Sequence, residues 1–144
     1  MQQRYMQLAI EQAELALKYN EVPIGAIIVR NDQVIASAFN QTVTKCNPVA
    51  HAEILAIEKA AHAISNHRLN DCDLYVTLEP CLMCLGAVSQ ARIRKVYYGA
   101  TDKRSGFFSS GLSTQSLNLN WHVEHEAGIC SNICSTLLME FFKQ

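Results

Sequence analysis

Apolar residues in the first turns of the chain recur at helical spacing: Met6, Ala9, Ile10, Ala13 and Leu17 follow i, i+3, i+4, i+7 and i+11, with polar residues between them. That stripe predicts a helix buried on one face, ended by the segment Asn20 to Pro23. Gly25 to Val29 and Gln33 to Phe39 then read as strands. Arg30-Asn31-Asp32 joins them, and its Asn-Asp pair suits a tight turn, so an antiparallel hairpin is expected. Further on, Ala50 to Ala63 reads as helix, Asp73 to Thr77 as a short buried strand, Cys81 to Gln90 as helix and Lys95 to Gly99 as strand. Ala100 to Asn120, rich in Ser, Gly and Asn, reads as a long loop with room for one short helix. His122 to His125 completes the strands, and Ser131 to Phe142 reads as a terminal helix with Leu137, Leu138, Phe141 and Phe142 on its apolar side. Alternation of strand and helix implies parallel pairing with right-handed crossovers. The fold class is therefore α/β, a three-layer α/β/α sandwich on a mixed five-stranded sheet.

Composition narrows the class. With 144 residues, 49% apolar content, 17% charged residues and a net charge of −1, the chain suits one domain over residues 1–144 around one core, and disorder is excluded. No apolar run approaches the roughly 18 residues of a membrane span. Met1 to Asn20 carries Glu11 and Glu14 in place of a secretory pattern, so no membrane association and a cytoplasmic location are expected. In that reducing compartment the six cysteines read as thiols or metal ligands and not as disulfides. Cys130 and Cys134, four apart in an apolar stretch, read as core.

The chemistry lies in two short segments. His51-Ala52-Glu53 is followed, after the twenty-six residues Ile54 to Glu79, by Pro80-Cys81-Leu82-Met83-Cys84. Cysteines three apart reach one metal from a helix face, where i and i+3 are neighbours, and Pro80 suits the first turn of such a helix. The helix dipole and the metal both favour the thiolate. His51, Cys81 and Cys84 make a three-ligand N/S set that leaves a tetrahedral position for water, the arrangement of catalytic zinc. Glu53 is then placed to hydrogen-bond that water and carry its proton to a ring nitrogen and to departing ammonia. The pattern H-x-E…P-C-x-x-C is a known signature of the zinc-dependent nucleobase deaminases. Hydrolytic deamination by zinc-bound hydroxide, with Glu53 as proton shuttle, is the expected reaction.

Beyond the signature, Asn20-Glu21-Val22-Pro23-Ile24-Gly25-Ala26, Asn40, Thr77-Leu78-Glu79 before Pro80, Gly99-Ala100-Thr101-Asp102, Gly106 and Glu140-Phe141-Phe142 accompany it along nearly the whole chain. Together they resemble the bacterial tRNA-specific adenosine deaminases, the TadA family of the cytidine/deoxycytidylate deaminase superfamily. The resemblance implies a cytidine deaminase-like fold and conversion of the wobble adenosine of a tRNA anticodon loop, chiefly of an arginine tRNA, to inosine. It also implies a homodimer with one Zn2+ per subunit. Carried over by residue, His51, Cys81 and Cys84 match the zinc ligands and Glu53 the shuttle. Asn40 matches a residue that hydrogen-bonds the flipped base, the Ala52 backbone faces the same pocket, and Val22 and Pro23 line its apolar wall. Asn40 also suits a plain strand-end turn.

Arg92, Arg94, Lys95, Lys103 and Arg104 cluster around the exit of the second metal helix, as either a phosphate-contacting or a solvated face. Phe107 and Phe108 either stack on bases or pin the loop. Two alternatives stay open: a zinc deaminase of a free base or nucleoside, of the guanine or cytidine type, and a non-catalytic zinc-stabilised RNA-binding protein. The second is disfavoured because structural zinc has no use for Glu53.

Overall fold

The computed structural model describes residues 1–143; Gln144, where the expected domain ends, lies outside them. The elements run α1 (Gln2–Leu17), β1 (Gly25–Arg30), β2 (Gln33–Phe39), α2 (Ala52–Ile64), β3 (Cys72–Leu78), α3 (Leu82–Ala91), β4 (Lys95–Ala100), β5 (Glu124–Glu126) and α4 (Ser131–Phe142). The sheet order is β2-β1-β3-β4-β5. β1 is antiparallel to β2 and β3, whereas β3, β4 and β5 are mutually parallel, so the sheet is mixed and five-stranded as expected. The hairpin closes at the Arg30–Gln33 pair through Asn31 and Asp32, both at positive φ (51° and 60°). That is the left-handed pair a two-residue hairpin loop needs, and Asn and Asp tolerate it better than other non-glycine residues.

Strand alternation divides the apolar residues of β1 between two faces. Ile27 and Val29 meet Met6, Ala9 and Ile10 of α1, with Tyr75, Tyr97 and Cys134 of α4 in the same cluster. Ala26 and Ile28 face the other layer, where Leu55, Ala56 and Ala60 of α2 pack with Leu85 and Val88 of α3. Two stripe positions depart from expectation: Leu17 is exposed, Ala16 being buried in its place, and Phe142 is 68% exposed at the end of α4. Cys134 is buried and Cys130 packs against the same cluster, so this pair serves the core. All six cysteines are free, and no helix is long and apolar enough to cross a membrane among the described residues.

Gly25 fastens α1 to the sheet. A Cβ there would lie 2.0 Å from the Ala9 carbonyl oxygen and 2.5 Å from the Ala13 nitrogen. Backbone on both sides leaves nothing flexible to yield. Gly25→Ala is expected to destabilise the fold by about 3 kcal/mol, the upper range for overpacking, read as a lower denaturation midpoint at unchanged m-value.

The segment between β4 and β5 consists of turns, without the short helix allowed for. Ser113 and Ser116 explain this: each side-chain oxygen accepts from the other's backbone N–H, both at 3.0 Å, satisfying locally the groups a helix would use. Phe107 is fully buried and Trp121 donates from Nε1 to the Ile93 carbonyl at 2.9 Å. Phe108 stacks on His125 (centroids 3.7 Å apart) and lies parallel beside Tyr98 (5.8 Å). The two phenylalanines therefore pin the loop. The strand expected at His122 to His125 starts at Glu124, and both histidines are engaged: His125 in that stack, and His122 through a 2.7 Å hydrogen bond with Thr114 Oγ1.

Candidate metal centre and its surroundings

Two helix N-termini meet over the end of the sheet. His51 is the N-cap of α2 (φ −72°, ψ 154°) and Cys81 the N-cap of α3 (φ −78°, ψ 175°). Both are extended, so their side chains leave the helix axes while their carbonyls accept the first intrahelical bonds, from Leu55 and Leu85. Pro80 consequently stands before the N-cap and not in the first turn as expected. Cys81 needs the extended conformation at the cap, and the Pro80 carbonyl is used elsewhere, accepting from the Phe107 N–H at 2.9 Å.

His51 Nδ1 lies 3.8 Å from Cys81 Sγ and 3.5 Å from Cys84 Sγ, and the three donor atoms all lie within 4.8 Å of one another. Tetrahedral zinc with Zn–N of about 2.0 Å and Zn–S of about 2.3 Å requires donor separations of about 3.5–3.8 Å. The set fits such an ion. The Cys81 thiol is pushed down to about 4, first by hydrogen bonding from Cys84 and further by His51. Cys84 is pushed up because it gives that hydrogen bond and is buried. These shifts favour the thiolate at Cys81, and both helix dipoles point their positive ends toward it.

Glu53, in the first turn of α2, is 4% exposed. Burial pushes its carboxyl up to about 7, against the opposing effect of its own backbone N–H and of His51. A carboxyl that changes protonation near neutrality beside a metal site is suited to move a proton.

The other expected pocket residues are placed less uniformly. Asn40 is buried at the end of β2, and its Nδ2 donates to Glu21 Oε1 at 3.5 Å. Ala52 and Pro23 are buried, and Val22 lines a groove of about 700 Å³ with Leu78, Asp102, Arg104, Leu138 and Phe142. Of the basic cluster, Arg94 makes a two-pronged pair with Asp73 (3.0 Å) and Lys95 pairs with Glu126 (3.2 Å). Arg92 lies 5.3 Å over the Trp121 ring. These three serve the fold, which leaves Lys103 and Arg104 without an ion-pair partner among the described residues.

Glu21 and Glu79 were not singled out by sequence, yet both are almost fully buried at the site's edges. Glu21 accepts from Thr44 N (2.6 Å), Thr44 Oγ1 (2.5 Å) and Val43 N (3.3 Å), holding the loop after Asn40. Burial alone would raise its carboxyl, but these donors hold it below the usual carboxylate range. Both acids lie inside segments that carry the family resemblance, Asn20 to Ala26 and Thr77 to Glu79. An acid among apolar neighbours was the available signal.

The sheet order and the paired helix N-termini define a deaminase of the cytidine deaminase-like class. The MafB19-like deaminase family matches residues 1–144. The chain is 42% identical over 142 residues to the tRNA-specific adenosine deaminase of Rickettsia typhi, covering 96% of each chain. It is 40% identical over 141 residues to that of Bacillus subtilis, covering 97% of this chain and 88% of the relative. The chain belongs to the tRNA-specific adenosine deaminase family. A solved structure from work on A-to-I editing by tRNA:A34 deaminases superposes with a TM-score of 0.90 at 40% identity, covering 94% of this chain and 99% of that one. The guanine deaminase of Nitrosomonas europaea, 23% identical with a TM-score of 0.84, shares the fold.

Proposed function

We propose that residues 1–144 form one zinc-dependent deaminase domain that hydrolyses the wobble adenosine of a tRNA anticodon loop, chiefly that of an arginine tRNA, to inosine. The observation that carries the chemistry is the His51/Cys81/Cys84 spacing beside a buried Glu53. The substrate follows from relatives at 40–42% identity that are tRNA-specific adenosine deaminases.

His51 Nδ1, Cys81 Sγ and Cys84 Sγ would hold one zinc ion per subunit, which would supply the Lewis acidity that brings the pKa of a bound water to about 7. Glu53 takes one proton from the attacking water and delivers it to the purine N1, then takes the proton of the hydroxyl added at C6 and gives it to the exocyclic amine. The C6–N bond breaks, a C6–O bond forms, and ammonia leaves. Asn40 hydrogen-bonds the flipped base, the Ala52 backbone borders it, and Val22 and Pro23 supply its apolar wall. Lys103 and Arg104 contact phosphate beside it. An anticodon-loop base is already unpaired, so seating it costs less than extracting one from a duplex.

Leu82 and Met83, 56% and 36% exposed beside the metal ligands, are the apolar surface of a homodimer, and light scattering at the dimer mass is the expected result. A cytoplasmic location accords with a tRNA substrate. The test of the function is a comparison of kcat/KM on an arginine anticodon stem-loop, free adenosine, cytidine and guanine. The stem-loop is expected to exceed every free substrate by at least about a hundredfold, because bound flanking nucleotides contribute binding energy to the transition state. Preference for free guanine or cytidine would move the protein to the small-molecule deaminases.

A further inference from the structure

We propose that Glu79 is a positioning residue for the RNA substrate, its buried carboxylate fixing the loop from Thr101 to Ser109 against the turn that carries Cys81. The inference rests on the reading of this chain as a deaminase of an RNA loop.

Glu79 joins the end of β3 to Pro80 and is 2% exposed. No lysine, arginine or histidine pairs with it among the described residues. A buried carboxylate without a cation is costly unless hydrogen bonds replace its water. All three of its donors come from the loop: Asp102 N at 2.9 Å and Ser109 Oγ at 2.5 Å on Oε1, and Ser109 N at 2.6 Å on Oε2.

The backbone completes the clamp. Glu79 N donates to the Ala100 carbonyl at 2.9 Å, Phe107 N donates to the Pro80 carbonyl at 2.9 Å, and Cys81 and Gly106 form an antiparallel bridge. At Gly106 a Cβ would meet Glu79 Cδ at 2.4 Å and the Asp102 carbonyl oxygen at 2.4 Å, so glycine is what lets the loop lie on the carboxylate. Between the two clamped ends, the Asp102 carboxylate accepts from Arg104 N, Ser105 N and Ser105 Oγ at 3.0–3.2 Å, closing a turn on which Lys103 and Arg104 are exposed.

This loop contains no helix or strand to hold it. It nonetheless forms one wall of the groove that Val22, proposed above for the base's apolar wall, also lines. Glu79 therefore links two things that must be in register: the turn bearing a metal ligand, and the cations beside the base. Charge-assisted bonds to fixed N–H groups are directional, which apolar packing at this position would not be.

The test is steady-state kinetics of zinc-loaded Glu79→Gln, Ser109→Ala and the double variant on the anticodon stem-loop, with zinc content measured for each. Gln keeps the shape of Glu but turns an NH2 toward a donor. The expected result is KM raised about tenfold or more in Glu79→Gln, the equivalent of one lost charge-assisted hydrogen bond, with kcat within about threefold and zinc at the parent level. Ser109→Ala, which removes one donor and serves if Glu79→Gln does not fold, is expected to raise KM about threefold. The double variant should match Glu79→Gln, because both changes break one network. Unchanged KM, a loss confined to kcat, a loss of zinc, or additive effects would overturn the inference. If the parent protein forms no inosine in the stem-loop, the proposed function fails by itself. Amide hydrogen exchange then decides the clamp: faster exchange from Asp102 to Ser109 in Glu79→Gln upholds it, and parent-like exchange overturns it.

Discussion

Glu53→Gln is expected to leave the fold and the metal content intact while turnover falls about a thousandfold, within the range for loss of a positioned acid/base. The side chain is 4% exposed, and burial already holds its carboxyl at about 7. Gln has the same shape and cannot ionise, so the substitution relieves the desolvation of a buried charge and opens no cavity. It removes only the capacity to accept and return a proton. The thermal midpoint should therefore equal or exceed that of the parent, measured by calorimetry alongside single-turnover kinetics. A midpoint that falls together with activity would mean that Glu53 is structural.

Cys84→Ser carries the second large effect. Cys84 is fully buried in the first turn of α3, with its Sγ 3.5 Å from His51 Nδ1. A serine oxygen sits on a shorter bond, is a harder donor, and does not ionise near neutrality, so two ligands remain for a borderline-soft ion. Zinc content is expected to fall from one per chain to near zero after dialysis, and turnover with it. The midpoint should fall as well, since an ion that binds only the folded chain stabilises it by mass action. Full zinc retention in Cys84→Ser would remove Cys84 from the ligand set.

Much of this arrangement was legible in the sequence because it is local or periodic. The α1 stripe, apart from Leu17, and the Asn31-Asp32 hairpin each depend on residues a few positions apart and appear where the periodicity places them. What escaped depends on contacts across the chain. Glu79 reaches Asp102 and Ser109, and Glu21 reaches Thr44, over separations of 23, 30 and 23 residues. An isolated acid in a sequence reads as a solvated charge, since acids are seldom fully buried. Arg94 and Lys95 looked free for phosphate until the sheet set β4 between Asp73 of β3 and Glu126 of β5. Pro80 stands outside the helix for a related reason: Cys81 is the extended N-cap, with its Sγ 3.8 Å from His51 Nδ1, a long-range constraint that helix propensity does not contain.

The most direct test of the central claim is nucleoside mass spectrometry of an arginine anticodon stem-loop incubated with the zinc-loaded protein in heavy-oxygen water. Inosine is expected at the wobble position alone, with its new oxygen drawn from solvent, and none with Glu53→Gln. An unaltered wobble adenosine under conditions where the same preparation deaminates a free base would contradict that claim.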